Sequence, residues 1–188
     1  MKKNRLITTV AIALAVCLTI AGTIAWISTK TDPVKNVFTV GDNINIELNE
    51  TTGGEYAMNP GKELDKDPVI TVKKDSAACY LFFKAEASEN LKDFIEYTVA
   101  TGWTELKGVE GVTGVYYQVT TKAEKDETYH ILKDDKVKVK DTVTKEELDE
   151  LNEDTYPTLT FTAYAIQKDG MTDEKDAWAK LNPEEKKD

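Results

Sequence analysis

From Asn43 to Asn49 apolar and polar side chains alternate without a break, Ile44, Ile46 and Leu48 on one face and Asn45, Glu47 and Asn49 on the other. A period of two marks a half-buried strand. Asn36–Val40, Val69–Lys73, Cys79–Ala87, Phe94–Thr101, Gly114–Thr120, Thr128–Leu132, Lys136–Lys140 and Thr158–Gln167 are further short runs rich in Val, Ile, Thr, Tyr and Phe. Gly41-Asp42-Asn43, Gly53-Gly54 and Asn59-Pro60-Gly61 punctuate them as turns. This spacing predicts a mainly β chain, a jelly-roll-like antiparallel β-sandwich. Two short helices interrupt it. Thr144-Lys145-Glu146-Glu147 is a capping box opening a helix over Lys145–Asn152, with Leu148 and Leu151 turned inward. Thr172 or Asp173 caps a second over Glu174–Leu181, whose Ala177, Trp178 and Leu181 share a face before Asn182-Pro183 ends it.

The N-terminal stretch follows another grammar. Lys2, Lys3 and Arg5 are followed by a charge-free run from Leu6 to Thr29, dense in Leu, Ile, Val and Ala up to Ile20. A basic start, an apolar core and then small residues form a secretory signal peptide. Thr23 and Ala25 supply the small side chains a peptidase accepts, which places cleavage between Ala25 and Trp26. An uncleaved anchor is the competing reading, since about 20 apolar residues span a bilayer; Thr8, Thr9, Thr19 and Thr23 dilute the run against it. Cys17, after Leu14-Ala15-Val16, is a poor lipoprotein box and reads as part of the apolar core. The expected division is a signal peptide over 1–25, an N-terminal segment over 26–40, a sandwich over 41–182 and a charged tail over 183–188.

Removing residues 1–29 leaves 21 basic against 34 acidic side chains, a balance of −13. Phosphate recognition needs a basic face, so nucleic acid is not the expected partner. Cys79 is then the single cysteine; it cannot form an internal disulfide and reads as core filler. One histidine, His130, in a strand-like segment, leaves no pair for a two-His metal site. HExxH, GxSxG, Walker and GxGxxG patterns do not occur in the sequence. Asp65/Asp67 and Asp134/Asp135 are of the type that binds calcium but match no EF-hand loop, and they read as solvated charge. Trp103, Tyr116 and Tyr117, at strand spacing, read as core rather than as a ligand surface. No enzyme is expected, and no cofactor.

Ala21-Gly22-Thr23-Ile24-Ala25-Trp26-Ile27-Ser28-Thr29-Lys30-Thr31-Asp32, then Asn36-Val37-Phe38-Thr39-Val40-Gly41 and Ile44-Asn45-Ile46-Glu47-Leu48, resemble the TasA/camelysin family of exported Gram-positive proteins. Pro60-Gly61-Lys62-Glu63-Leu64 with Pro68-Val69-Ile70-Thr71-Val72 resembles the next block, and Leu159–Gln167 with Ala177-Trp178 the C-terminal one. Residues from about Ser88 to Asp154 carry no such motif. The resemblance implies processing by a SipW-type signal peptidase, secretion to the extracellular matrix or cell surface, and a jelly-roll subunit of biofilm-matrix fibres. It implies the chain itself as partner, in a homopolymer, together with an accessory or anchoring matrix protein. The freed N-terminal segment, carrying Trp26, Ile27, Val34, Val37, Phe38 and Val40, is expected to add as a strand to the next subunit. Two alternatives stand beside it: a monomeric surface sandwich that binds a host or carbohydrate ligand, and a camelysin-like metalloprotease, for which the sequence offers no zinc motif.

Overall fold

The computed structural model describes residues 43–52 and 56–181. The signal peptide, the cleavage site at Ala25 and Trp26, the 26–40 segment with its Asn36–Val40 strand, the Gly53-Gly54 turn and the 183–188 tail lie outside the described residues.

The described chain is mainly β, with every strand pair antiparallel. In order it forms β1 (Ile46–Asn49), β2 (Glu63–Asp65), β3 (Val69–Val72), β4 (Cys79–Ala87), α1 (Leu91–Phe94), β5 (Ile95–Val99), β6 (Thr104–Glu105), β7 (Val115–Val119), β8 (Glu127–His130), β9 (Leu132–Val139), α2 (Lys145–Asp149), β10 (Leu159–Gln167) and α3 (Glu174–Leu181). One sheet runs β10-β4-β7-β6, a second β1-β3-β8 and a third β2-β9-β5. All three contribute to one apolar cluster, through Ile46, Leu48, Ile70 and Val72, through Leu81, Phe83, Phe161 and Ala163, and through Leu64, Val137 and Val139. The arrangement is that of a β-sandwich, its inward faces set by the alternation already visible in the sequence.

The second and third sheets are joined by one bent ribbon. Between the pairs Asp65–Lys136 and Val69–His130, four steps along one strand face six along the other. The surplus falls around Asp134 and Asp135, whose φ values of 56° and 54° are left-handed. Asp tolerates that region better than most residues because its short polar chain finds local partners; here Asp135 meets Nδ1 of His130 at 2.8 Å. A bulge bends and twists its strand. The change of sheet itself falls at Ile131, buried at the corner between β8 and β9, and the bulge bends β9 just beyond it.

The four-stranded sheet is apolar on both faces over part of its area. Tyr80, Phe82, Val115 and Ile166 point away from the main cluster and are covered by Ala177, Trp178 and Leu181 of α3. Trp178 packs at 5.3 Å from the rings of both Phe82 and Tyr164. The shared face expected for this helix is therefore its docking face. Asp173 caps it, its Oδ1 accepting from the Lys175 and Asp176 amides at 3.0 and 2.8 Å.

Several expected boundaries are corrected. β2 and β6, with three and two residues, are too short to display a period. Phe94 belongs to α1, a third short helix, so the strand expected over Phe94–Thr101 is β5 from Ile95 to Val99. The segments Thr128–Leu132 and Lys136–Lys140 divide differently: β8 stops at His130, and β9 runs from Leu132 to Val139 through the bulge. The capping box at Thr144 is present, but its helix ends at Asp149 rather than Asn152, with Leu148 half-buried against the core.

Candidate functional site

The outer border of the four-stranded sheet is formed by β10. β10 reads Leu-Thr-Phe-Thr-Ala-Tyr-Ala-Ile-Gln, nine residues without charge, Pro or Gly. Its ladder with β4 is unbroken from Leu159–Ala87 to Gln167–Cys79, so neither strand carries a bulge that would twist the edge away. Among the described residues no strand is hydrogen-bonded to its other side. Edge strands are ordinarily blunted by Lys, Pro, bulges or short length, because their free N–H and C=O groups template pairing with another chain. β10 carries no Lys, Pro or bulge and is nine residues long. β1 runs beside it, with Cα atoms of the two strands within 8 Å, yet its four residues are too few to screen the whole edge. Leu159, Phe161, Ala163 and Ala165 face the core, and Thr160 and Thr162 face away.

A second constellation sits where β1 ends. Lys66, in the corner between β2 and β3, is buried, and its Nζ lies 2.9 and 3.1 Å from the two carboxylate oxygens of Glu50. The two side chains are only 6% and 5% exposed. The Tyr56 hydroxyl lies within hydrogen-bond distance of two acceptors, Glu50 Oε1 at 3.2 Å and the Thr52 carbonyl oxygen at 2.9 Å, and Nζ lies 6.0 and 5.7 Å from the ring centres of Tyr56 and Phe161. Burial, with Glu50 beside it, pushes the Tyr56 hydroxyl up to about 12, against the hydrogen bond to Thr52. Next door, Asp67 receives the amides of Thr51 and Thr52 at 3.0 and 2.9 Å and both of their hydroxyls. Burial works to raise that carboxyl, but these four donors prevail and hold it well below the usual range. The pair ties the segment after β1 to the β2–β3 corner.

The remaining residues singled out from the sequence are dispersed. Asp67 is committed to Thr51 and Thr52, while Asp65 is an exposed residue of β2. Asp134 and Asp135 form the bulge, and His130 is half-exposed beside Asp135. Among the described residues no three His, Cys, Asp or Glu side chains converge as a metal-ligand group. Trp103 and Tyr116 pack on Phe83 at 4.7 and 5.0 Å, and Tyr117 on Phe82 at 6.0 Å, so these half-buried rings lie against the core at its margin. Cys79 is buried with Sγ 3.1 Å from Thr120 Oγ1, and burial pushes its thiol up to about 11. An open cleft of about 420 Å³ lies between the end of β4, α1 and β5, lined by residues including Ala87, Leu91, Ile95 and Tyr97. No described helix is long and apolar enough to cross a membrane. The Glu50–Tyr56–Lys66 cluster has no sequence signature, because Lys66 lies in the charged run Glu63-Leu64-Asp65-Lys66-Asp67 and reads as solvated.

No protein-family model, curated protein or solved structure matches this chain.

Proposed function

We propose that this chain is an exported structural subunit of extracellular biofilm-matrix fibres, without catalytic activity, that polymerises when residues 26–40 of one copy add as a strand to the next. The observation that carries the reading is the long, uncharged and bulge-free strand β10 at the border of its sheet. A strand laid on that edge gains a row of main-chain hydrogen bonds and fills side-chain pockets on alternate residues. Val34, Phe38 and Val40 share one parity in the 26–40 segment and Val37 has the other, so a strand added to β10 would set the first three in line with the core-facing row of Phe161, Ala163 and Ala165. Because the donated strand and the receiving edge are different surfaces, the contact is heterologous and propagates as a filament. The resemblance to the TasA/camelysin family supports the same reading, with a jelly-roll topology, cleavage between Ala25 and Trp26 by a SipW-type signal peptidase, and an anchoring matrix protein at the cell surface.

The test is negative-stain electron microscopy of the chain beginning at Trp26. Filaments are expected, and deleting residues 26–40 is expected to leave monodisperse particles. A truncated chain that still polymerised would rule out strand donation. Thr160→Lys with Thr162→Lys, which sets charge along β10 without entering the core, is expected to suppress fibres while circular dichroism stays unchanged.

A further inference from the structure

We infer that Lys66 and Glu50 are the two halves of an intramolecular isopeptide cross-link. Three features of the site point to covalent chemistry. The amine and the carboxyl are both more than nine-tenths buried, and Nζ contacts both carboxylate oxygens at 2.9 and 3.1 Å. Aromatic rings of Tyr56 and Phe161 flank the nitrogen, so the pair sits in a poorly hydrated pocket. The Tyr56 hydroxyl lies 3.2 Å from Glu50 Oε1 and 2.9 Å from the Thr52 carbonyl oxygen, so its one proton can turn from Thr52 to Oε1 as charge gathers there, which marks Oε1 as the oxygen that stays.

The reaction is a condensation that needs no co-reactant. Two protons pass from the Lys66 ammonium to Oε2, the first giving a neutral amine and a neutral acid, and the second leaving as Oε2 departs. The Glu50 carboxyl turns about its terminal torsion, which is broad for Glu, so that the Nζ lone pair approaches Cδ from above the carboxyl plane. The Nζ–Cδ bond forms, and charge gathers on Oε1, where the Tyr56 hydroxyl donates. The Cδ–Oε2 bond then breaks and Oε2 leaves as water. One hydrogen remains on the amide nitrogen, so atoms and charge balance. Fixing amine and carboxyl in contact removes the entropic cost of bringing them together, and a dry pocket disfavours the reverse hydrolysis.

The product fastens the chain just after β1 to the β2–β3 corner. It closes residues 50–66 into a covalent loop in a chain whose one described cysteine, Cys79, is buried beside Thr120 and holds no disulfide. The link would form whether or not the chain assembles.

Mass spectrometry of the purified, denatured and reduced chain, with its N-terminus determined, decides the matter. The expected mass is one water below that of the sequence, with a tryptic product in which the peptides containing Glu50 and Lys66 are joined at those side chains. Lys66→Met and Glu50→Ala are each expected at their full sequence mass. Tyr56→Phe is expected to form the link several-fold more slowly when folding is started from denatured chain. A wild-type chain that keeps its full mass after prolonged folding, or a water loss that fragmentation places elsewhere, would overturn the cross-link and leave an ion pair.

Discussion

Gly114 has φ 70°, and a Cβ built there would lie 2.5 Å from the Ala85 carbonyl oxygen. Backbone contact is also what holds this position, since Ala85 N donates to Gly114 O at 2.8 Å. Gly114→Ala therefore adds left-handed strain to a clash with main chain, and a loss of about 2 kcal/mol is expected in urea unfolding. Cys79 shows burial acting on chemistry. A thiol raised from 9.0 to about 11 is neutral in the folded chain at pH values where the unfolded thiol is ionised. Its contribution to stability is complete below pH 9 and is lost as pH climbs towards 11. Iodoacetamide is accordingly expected to label Cys79 only when denaturant is present, which a mass shift reports. The Lys66–Glu50 pair obeys the rule for buried charges. Where the pair is not joined covalently, removing Lys66 alone strands a carboxylate in an apolar pocket and is expected to cost about 3–5 kcal/mol.

Among the elements, α3 covers the outer face of the four-stranded sheet. Trp178 is 1% exposed and packs against Phe82 and Tyr164. Trp178→Ala leaves a cavity over Phe82 and opens that face to water, with an expected loss of about 3–5 kcal/mol and a visible change in near-ultraviolet circular dichroism. The α2 capping box is a smaller matter. Thr144 accepts from the Glu147 amide at 3.2 Å while Glu147 accepts from the Thr144 amide at 2.8 Å, so Thr144→Ala is expected to cost about 1 kcal/mol. β10 differs from both in lying at the border of its sheet, hydrogen-bonded to β4 along its whole length.

At the scale of the whole molecule, charge would oppose the proposed assembly. Beyond residue 29 the chain carries a balance of −13, spread over a surface of exposed carboxylates and lysines. Like-charged subunits repel over distances set by ionic strength, about 10 Å at 0.1 M salt. Fibre growth followed by light scattering is expected to quicken with added salt or divalent cations, and as pH falls towards the isoelectric point of 4.7. Growth that slowed under all three conditions would remove charge repulsion as the brake.

Local pattern was sufficient wherever a residue's neighbours in sequence decide its environment. The alternation of Ile44, Ile46 and Leu48, the extent of Cys79–Ala87, the Thr144 capping box and the apolar face of α3 were legible because period and capping are short-range physics. What the sequence hid depends on residues brought together from far apart. The bulge at Asp134 and Asp135 is visible only once β9 is laid against both β2 and β5, because its signal is a mismatch of register between strands. The burial of Lys66 follows from Glu50, Tyr56 and Phe161 closing over it, and its own neighbours suggest a solvated lysine. That β10 is an edge is likewise a matter of topology. Its composition is the same whether it lies inside a sheet or along its border, and only the arrangement of the strands around it decides which.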